Sequence, residues 1–284
     1  MSTADDAPAA AVTTAGQPFP YVPFRTIAER NGVALRAYGE GTPLIFMPGM
    51  TGGGQATLEL AVRVAEQTAA AGRPLRLLLV DYTSEDHPTF DALRDTVEAL
   101  VTPALGGQRT ILWTESLGCL VTPSPRFDAA FNVHKRVMIS AFGDIPQLPL
   151  RLGLVGMAIA PPPLFRWVMG PMGRWTFGPP GDSPDHVFFK SLQSLAPKVT
   201  RRRSAWLVAR HFQAWFQEST VPTKLWLGAL DRLVGIERQR SFFGELAAQR
   251  PDFQLSIVEG GGHVVTDTRL VAQMVSEITP WVLS

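Results

Sequence analysis

The 284-residue chain has a single cysteine, Cys119, which excludes an internal disulfide framework and any multi-cysteine metal site. Its five histidines, His87, His134, His186, His211 and His263, show no HExxH or comparable ligand spacing, which argues against a metal enzyme; no cofactor is expected. Neither sign of charge dominates: 26 Lys and Arg face 25 Asp and Glu, so no nucleic acid or other polyanionic partner is implied. The one notable basic run, Arg201-Arg202-Arg203, reads as a solvated helix end. Long apolar runs are missing too. RLGLVGMAIAPPPLF is too short for a transmembrane helix and runs into three prolines. Residues 1–20 have neither the basic n-region nor the apolar h-region of a signal peptide and read as a disordered leader. A cytoplasmic protein without a membrane span is expected.

What the chain does have is regular apolar patterning. Its 45% apolar content allows one large α/β domain or two small ones. Asn31-Gly32, between the alternating segments RTIAER and VALRAYGE, predicts a hairpin, because both turn positions tolerate positive φ. TPLIFM then breaks into Pro48-Gly49-Met50-Thr51 and a run of glycines. PLRLLLVDY, ILWT, KRVMISAF, TKLWLGAL and FQLSIVEG read as further strands, and helical spacing fills the intervals between most of them. Gly72 closes the first helix, Thr89 can cap the second, and a last amphipathic helix covers about 266–282. A hairpin feeding an alternating β-α-β series predicts an α/β fold with a doubly wound, mostly parallel sheet. Residues 143–218 break the alternation, being rich in proline, Trp, Phe and Met with no strand signal. They read as a helical cap over the carboxyl ends of the strands, leaving 21–142 and 219–284 as the core.

The stretch ILWTESLGCLV holds the most specific punctuation. Ser116 ends a strand and begins a helix, with Thr114 and Gly118 two residues to either side. A serine held out on a strained strand-to-helix turn needs small neighbours, although many ordinary junctions also carry a serine. Asp231 follows TKLWLGAL and, taken alone, could simply cap the next helix. His263 stands after Gly260-Gly261-Gly262, in a loop that must turn tightly. Ser, Asp and His, in that order, each follow a separate strand, as a parallel sheet requires to gather three side chains at one edge. That conjunction points to nucleophilic catalysis more strongly than any of the three residues alone.

TPLIFMPGMTGGG, ILWTESLGCLV, LWLGALDRLV and VEGGGHVV together resemble the α/β-hydrolase fold family over nearly the whole chain after Pro20. The resemblance implies that Ser116 is the nucleophile, His263 the general base and acid, and Asp231 the residue that orients the imidazole. It implies backbone oxyanion donors at Leu117 and Met50, the latter in the loop where many members carry His-Gly-X. Asp144, after KRVMISAF, is a second candidate for the acid, since some members place it there. Within the family, VDYTSEDHPTFDALRD and the Trp- and Phe-rich insertion are loosely similar to maspardin and its bacterial relatives. Thr114 is larger than the usual glycine, so a more crowded elbow is expected. Pro123 and Pro125 should limit the helix behind Ser116 to about two turns.

Thr51, Trp167, Met172 and Trp175 are the candidate substrate contacts, and they suit a small molecule with an apolar or aromatic acyl group. An ester or thioester hydrolase is expected. The competing readings are an interaction protein on a hydrolase scaffold, or another acyl, C–C cleaving or cyclising enzyme on the same fold.

Overall fold

The computed structural model describes residues 22–53, 58–83, 87–122, 124–143, 197–209, 213–265 and 267–284, with four helical residues at 152, 155, 156 and 159. The leader at 1–20 and the candidates Asp144, Trp167, Met172 and Trp175 lie outside the described residues.

Eight strands form one sheet: β1 (Arg25–Arg30), β2 (Val33–Tyr38), β3 (Thr42–Met47), β4 (Leu75–Asp81), β5 (Thr110–Glu115), β6 (Val133–Ile139), β7 (Thr223–Gly228) and β8 (Phe253–Val258). Their spatial order is β1-β2-β4-β3-β5-β6-β7-β8. β1 and β2 pair antiparallel, β2 pairs antiparallel with β4, and every later pairing is parallel. The hairpin turns where the sequence predicts, with Asn31 and Gly32 at φ 50° and 75°, as a two-residue primed turn requires.

Helices cover both faces. α1 (Leu58–Ala70) and the C-terminal helix (Thr268–Leu283) pack on one side with Leu77, Leu79, Trp113 and Trp226. α2 (Phe90–Leu105) and further helices pack on the other side with Leu78, Val80, Leu112 and Leu225. Neighbouring residues of one strand thus enter opposite cores, which explains why these strands read as continuous apolar runs. Thr89 caps α2 by accepting from the Ala92 amide at 3.1 Å.

Behind Ser116 the helix is shorter than expected. α3 (Gly118–Val121) has one turn and ends at Thr122, directly before Pro123. A residue preceding proline is pushed out of the helical region, and Thr122 sits at φ −115°, ψ 0°. Arg94 from α2 caps that end, donating from Nε to the Val121 carbonyl at 3.0 Å. α4 (Pro125–Ala130) then restarts with proline in its first turn.

In 143–218 the described regular structure is all helical. α5 (Pro197–Ala209) and α6 (Gln213–Glu218) precede β7, and α7 (Ile236–Gln249) and α8 (Thr268–Leu283) complete the fold. The Arg201-Arg202-Arg203 run is not a solvated helix end. It lies inside α5, and Arg203 is fully buried. The reason is helical spacing: Arg203 shares a face with Val199, Thr200, Trp206 and Leu207, all of them buried.

Candidate active site

The chain direction around β3 sets the position of the site. The chain leaves β3 for β4 on one side and reaches β5 on the other, so the sheet reverses its winding between β3 and β5. Loops after the carboxyl ends of two such strands flank a crevice. Here Met47 pairs with Thr114 in register, which sets the loop 48–51 beside Ser116. The approach is close. A Cβ on Gly118 would overlap the Met47 carbonyl oxygen and stand 2.6 Å from that of Pro48, so the second small residue of the elbow is fixed by packing. A Cβ on Gly49 would stand 3.1 Å from Ser116 Cβ. Thr114 is accommodated without crowding, its hydroxyl lying 3.2 Å from Cys119 Sγ.

Ser116 takes φ 47°, a left-handed conformation that disfavours an L residue by about 1–2 kcal/mol. The strain is held by neighbours on both sides: the Ser116 amide donates to the Ile139 carbonyl at 3.0 Å, and the Cys119 amide donates back to the Ser116 carbonyl at 3.0 Å. Leu117 is the N-cap of α3, where a helix leaves its first N–H groups without intrahelical acceptors.

His263 lies after β8, and its Nε2 is 2.9 Å from Ser116 Oγ. Its Nδ1 is 2.8 Å from Asp231 Oδ2. A carboxylate only accepts, so Nδ1 carries the proton and Nε2 faces the serine hydroxyl as an acceptor. All three residues are buried. Asp231 also does what a capping residue would do, because Oδ1 accepts from the Leu233 and Val234 amides at 2.9 and 3.2 Å. One oxygen fixes the loop and the other fixes the imidazole.

The histidine loop is pinned from beneath. Gly260 alone of the three glycines takes positive φ, at 79°. A Cβ on Gly228 would overlap the Gly262 carbonyl oxygen and stand 2.5 Å from that of Gly261, so the loop rests directly on the end of β7. Ser140, at φ 52°, donates its hydroxyl to the His263 carbonyl at 2.6 Å. Sequence reasoning missed Ser140, since an isolated serine after a strand carries no distinguishing pattern.

Glu115, next to Ser116 in the chain, is buried. Burial pushes its carboxyl well above the usual range, offset in part by the Trp113 side chain, so the neutral acid is favoured. Cys119 is inert for the same reason, its thiol pushed up by burial to about 12. Among the described residues no group of three or more His, Cys, Asp or Glu is placed to hold a metal ion. No helix of the described residues is long and apolar enough to cross a membrane.

Of the candidates, Ser116, Asp231 and His263 are brought into one hydrogen-bonded chain, and Met50, Thr51 and Leu117 belong to the two loops beside the serine.

Residues 44–274 match the model of the Alpha/beta hydrolase family. A search of the curated proteins finds no match. Among solved structures, an esterase from a Rhodococcus species is 21% identical, with a TM-score of 0.63 over 92% of this chain and 98% of that one. An esterase from Exiguobacterium antarcticum is 14% identical, with a TM-score of 0.68 over 89% and 96%. A bromoperoxidase from Bacillus anthracis is 15% identical, with a TM-score of 0.64 over 93% and 99%. At these identities the likeness is one of fold.

Proposed function

The chain belongs to the alpha/beta hydrolase family, and from that premise we propose that it is a serine hydrolase acting on a carboxylic ester or thioester with an apolar or aromatic acyl group. One observation carries the reading: an unbroken hydrogen-bond chain from Asp231 through His263 to Ser116, at 2.8 and 2.9 Å.

In this reading His263 Nε2 takes the Ser116 proton as Oγ bonds to the substrate carbonyl carbon. The carbonyl electron pair moves onto oxygen, and the amides of Leu117 and Met50 donate to that oxyanion. As the tetrahedral intermediate collapses, the proton on Nε2 passes to the leaving alcohol or thiol and the acyl group stays on Ser116. Water then repeats the attack, giving its proton to His263, and the acid departs as Oγ recovers a proton. Asp231 keeps the imidazole in the required tautomer and stabilises its cation.

The proposed acyl preference rests on the composition of residues 143–218, which are rich in Trp, Phe and Met. A series of p-nitrophenyl esters of increasing acyl length tests it. Turnover should favour apolar acyl groups and fall roughly 10⁴-fold or more in Ser116→Ala. Turnover unchanged by that substitution would refute the serine mechanism.

A further inference from the structure

The loop that would supply the second oxyanion donor is held by two residues outside the triad. Gly49, Met50, Thr51 and Gly52 form a turn in which the Gly49 carbonyl accepts from the Gly52 amide at 3.0 Å. The same carbonyl lies 2.7 Å from the hydroxyl of buried Tyr82, just after β4, whose single proton is shared between the Gly49 and Pro48 carbonyls. The Tyr82 amide donates to the Gly52 carbonyl at 3.0 Å, so Tyr82 grips both ends of the turn. Arg203 enters from α5. It donates to the Met50 carbonyl and, at 2.5 Å, to the Tyr82 carbonyl, with its guanidinium 4.8 Å from the centre of the Tyr82 ring.

These contacts fix the orientation of one peptide. The described chain has no cis peptide bond, so the Met50 N–H is antiparallel to the Gly49 C=O. With the Gly49 oxygen held toward Gly52 and Tyr82, the Met50 N–H must point the opposite way. Reversing that peptide would break the Gly49 bonds to both partners. The Arg203 bond to the next carbonyl resists the same rotation from the other side.

We propose that Tyr82 and Arg203 are positioning residues that lock the Gly49–Met50 peptide with its N–H available to the oxyanion, so that docking of α5 completes the hole. The proposal rests on the reading of Ser116 as the nucleophile. It also explains why the site tolerates a buried arginine: the guanidinium is directed at backbone oxygens of the loop.

The test is the rate of Ser116 labelling by a fluorophosphonate, since attack on phosphorus develops the same oxyanion. Tyr82→Phe removes one hydroxyl and keeps the ring under Arg203. Arg203→Met removes the donors and keeps a long side chain on the buried face of α5. Each should slow labelling roughly tenfold to a hundredfold, less than outright loss of an oxyanion donor. The plateau of the pH–rate profile should fall while its midpoint stays in place, and the melting temperature of Tyr82→Phe should stay near that of the wild type. Labelling within twofold of wild type in both variants overturns the proposal and leaves the serine reading standing. So does a plateau that falls only as far as the folded fraction falls. A wild-type protein that takes no label overturns both.

Discussion

His263 Nδ1 and Asp231 Oδ2 are 2.8 Å apart, although 32 residues of chain separate them and each follows a different strand. The contact forms because β7 and β8 pair in register up to Gly228 and Val258, which places both loops at the same edge. Asp231 then divides its oxygens between the loop amides and the imidazole.

Asp231→Asn separates those two duties. The amide oxygen can still accept from Leu233 and Val234, so the loop should keep its shape and the melting temperature should change little. The amide nitrogen donates where the carboxylate accepted, which selects the wrong imidazole tautomer. Ester turnover is expected to fall about 10⁴-fold. Steady-state kinetics beside a melting curve checks this, and a fall in both together would assign Asp231 to the loop alone.

Gly228→Ala probes the seat of the histidine loop. The added methyl overlaps the Gly262 carbonyl oxygen, and backbone cannot yield as a flexible side chain can. Destabilisation of about 1–3 kcal/mol is expected, with a larger fractional loss of activity because His263 is the next residue to move. Denaturant melts and turnover of one p-nitrophenyl ester measure the two effects.

Glu115 has a pH signature. Its folded pKa lies above the unfolded value, so between those two values the folded state holds more protons than the unfolded state. Stability from this group is therefore full below the unfolded pKa and declines as pH rises toward the folded one. Glu115→Gln removes the titration. The melting temperature of the variant relative to wild type should rise as pH climbs above 4.5, and a difference independent of pH would contradict the burial argument.

Much of this fold was legible because its signals are local. Alternation, Asn31-Gly32 and the cap at Thr89 declare themselves within a few residues. The three triad candidates were legible because each follows a strand-like apolar run within a few residues. Arg203 was misread because three successive arginines look alike in composition, and only their angular positions on a helix distinguish them. The buried Val199 and Trp206, four before and three after, were the available signal. Tyr82 and Ser140 were missed because their partners are backbone carbonyls on other loops, at Gly49 and His263, and no residue type marks a carbonyl. The helix behind Ser116 came out at one turn because Pro123 acts one residue upstream, through Thr122.

The central claim is that the Ser116 hydroxyl, activated by His263, is the nucleophile. Fluorophosphonate treatment followed by peptide mass mapping tests it most directly. The account predicts one adduct per chain, on the peptide carrying Ser116, with labelling slowed at least 10³-fold in His263→Ala. A folded wild-type protein that carries its adduct elsewhere, or labels equally fast without the imidazole, would contradict it.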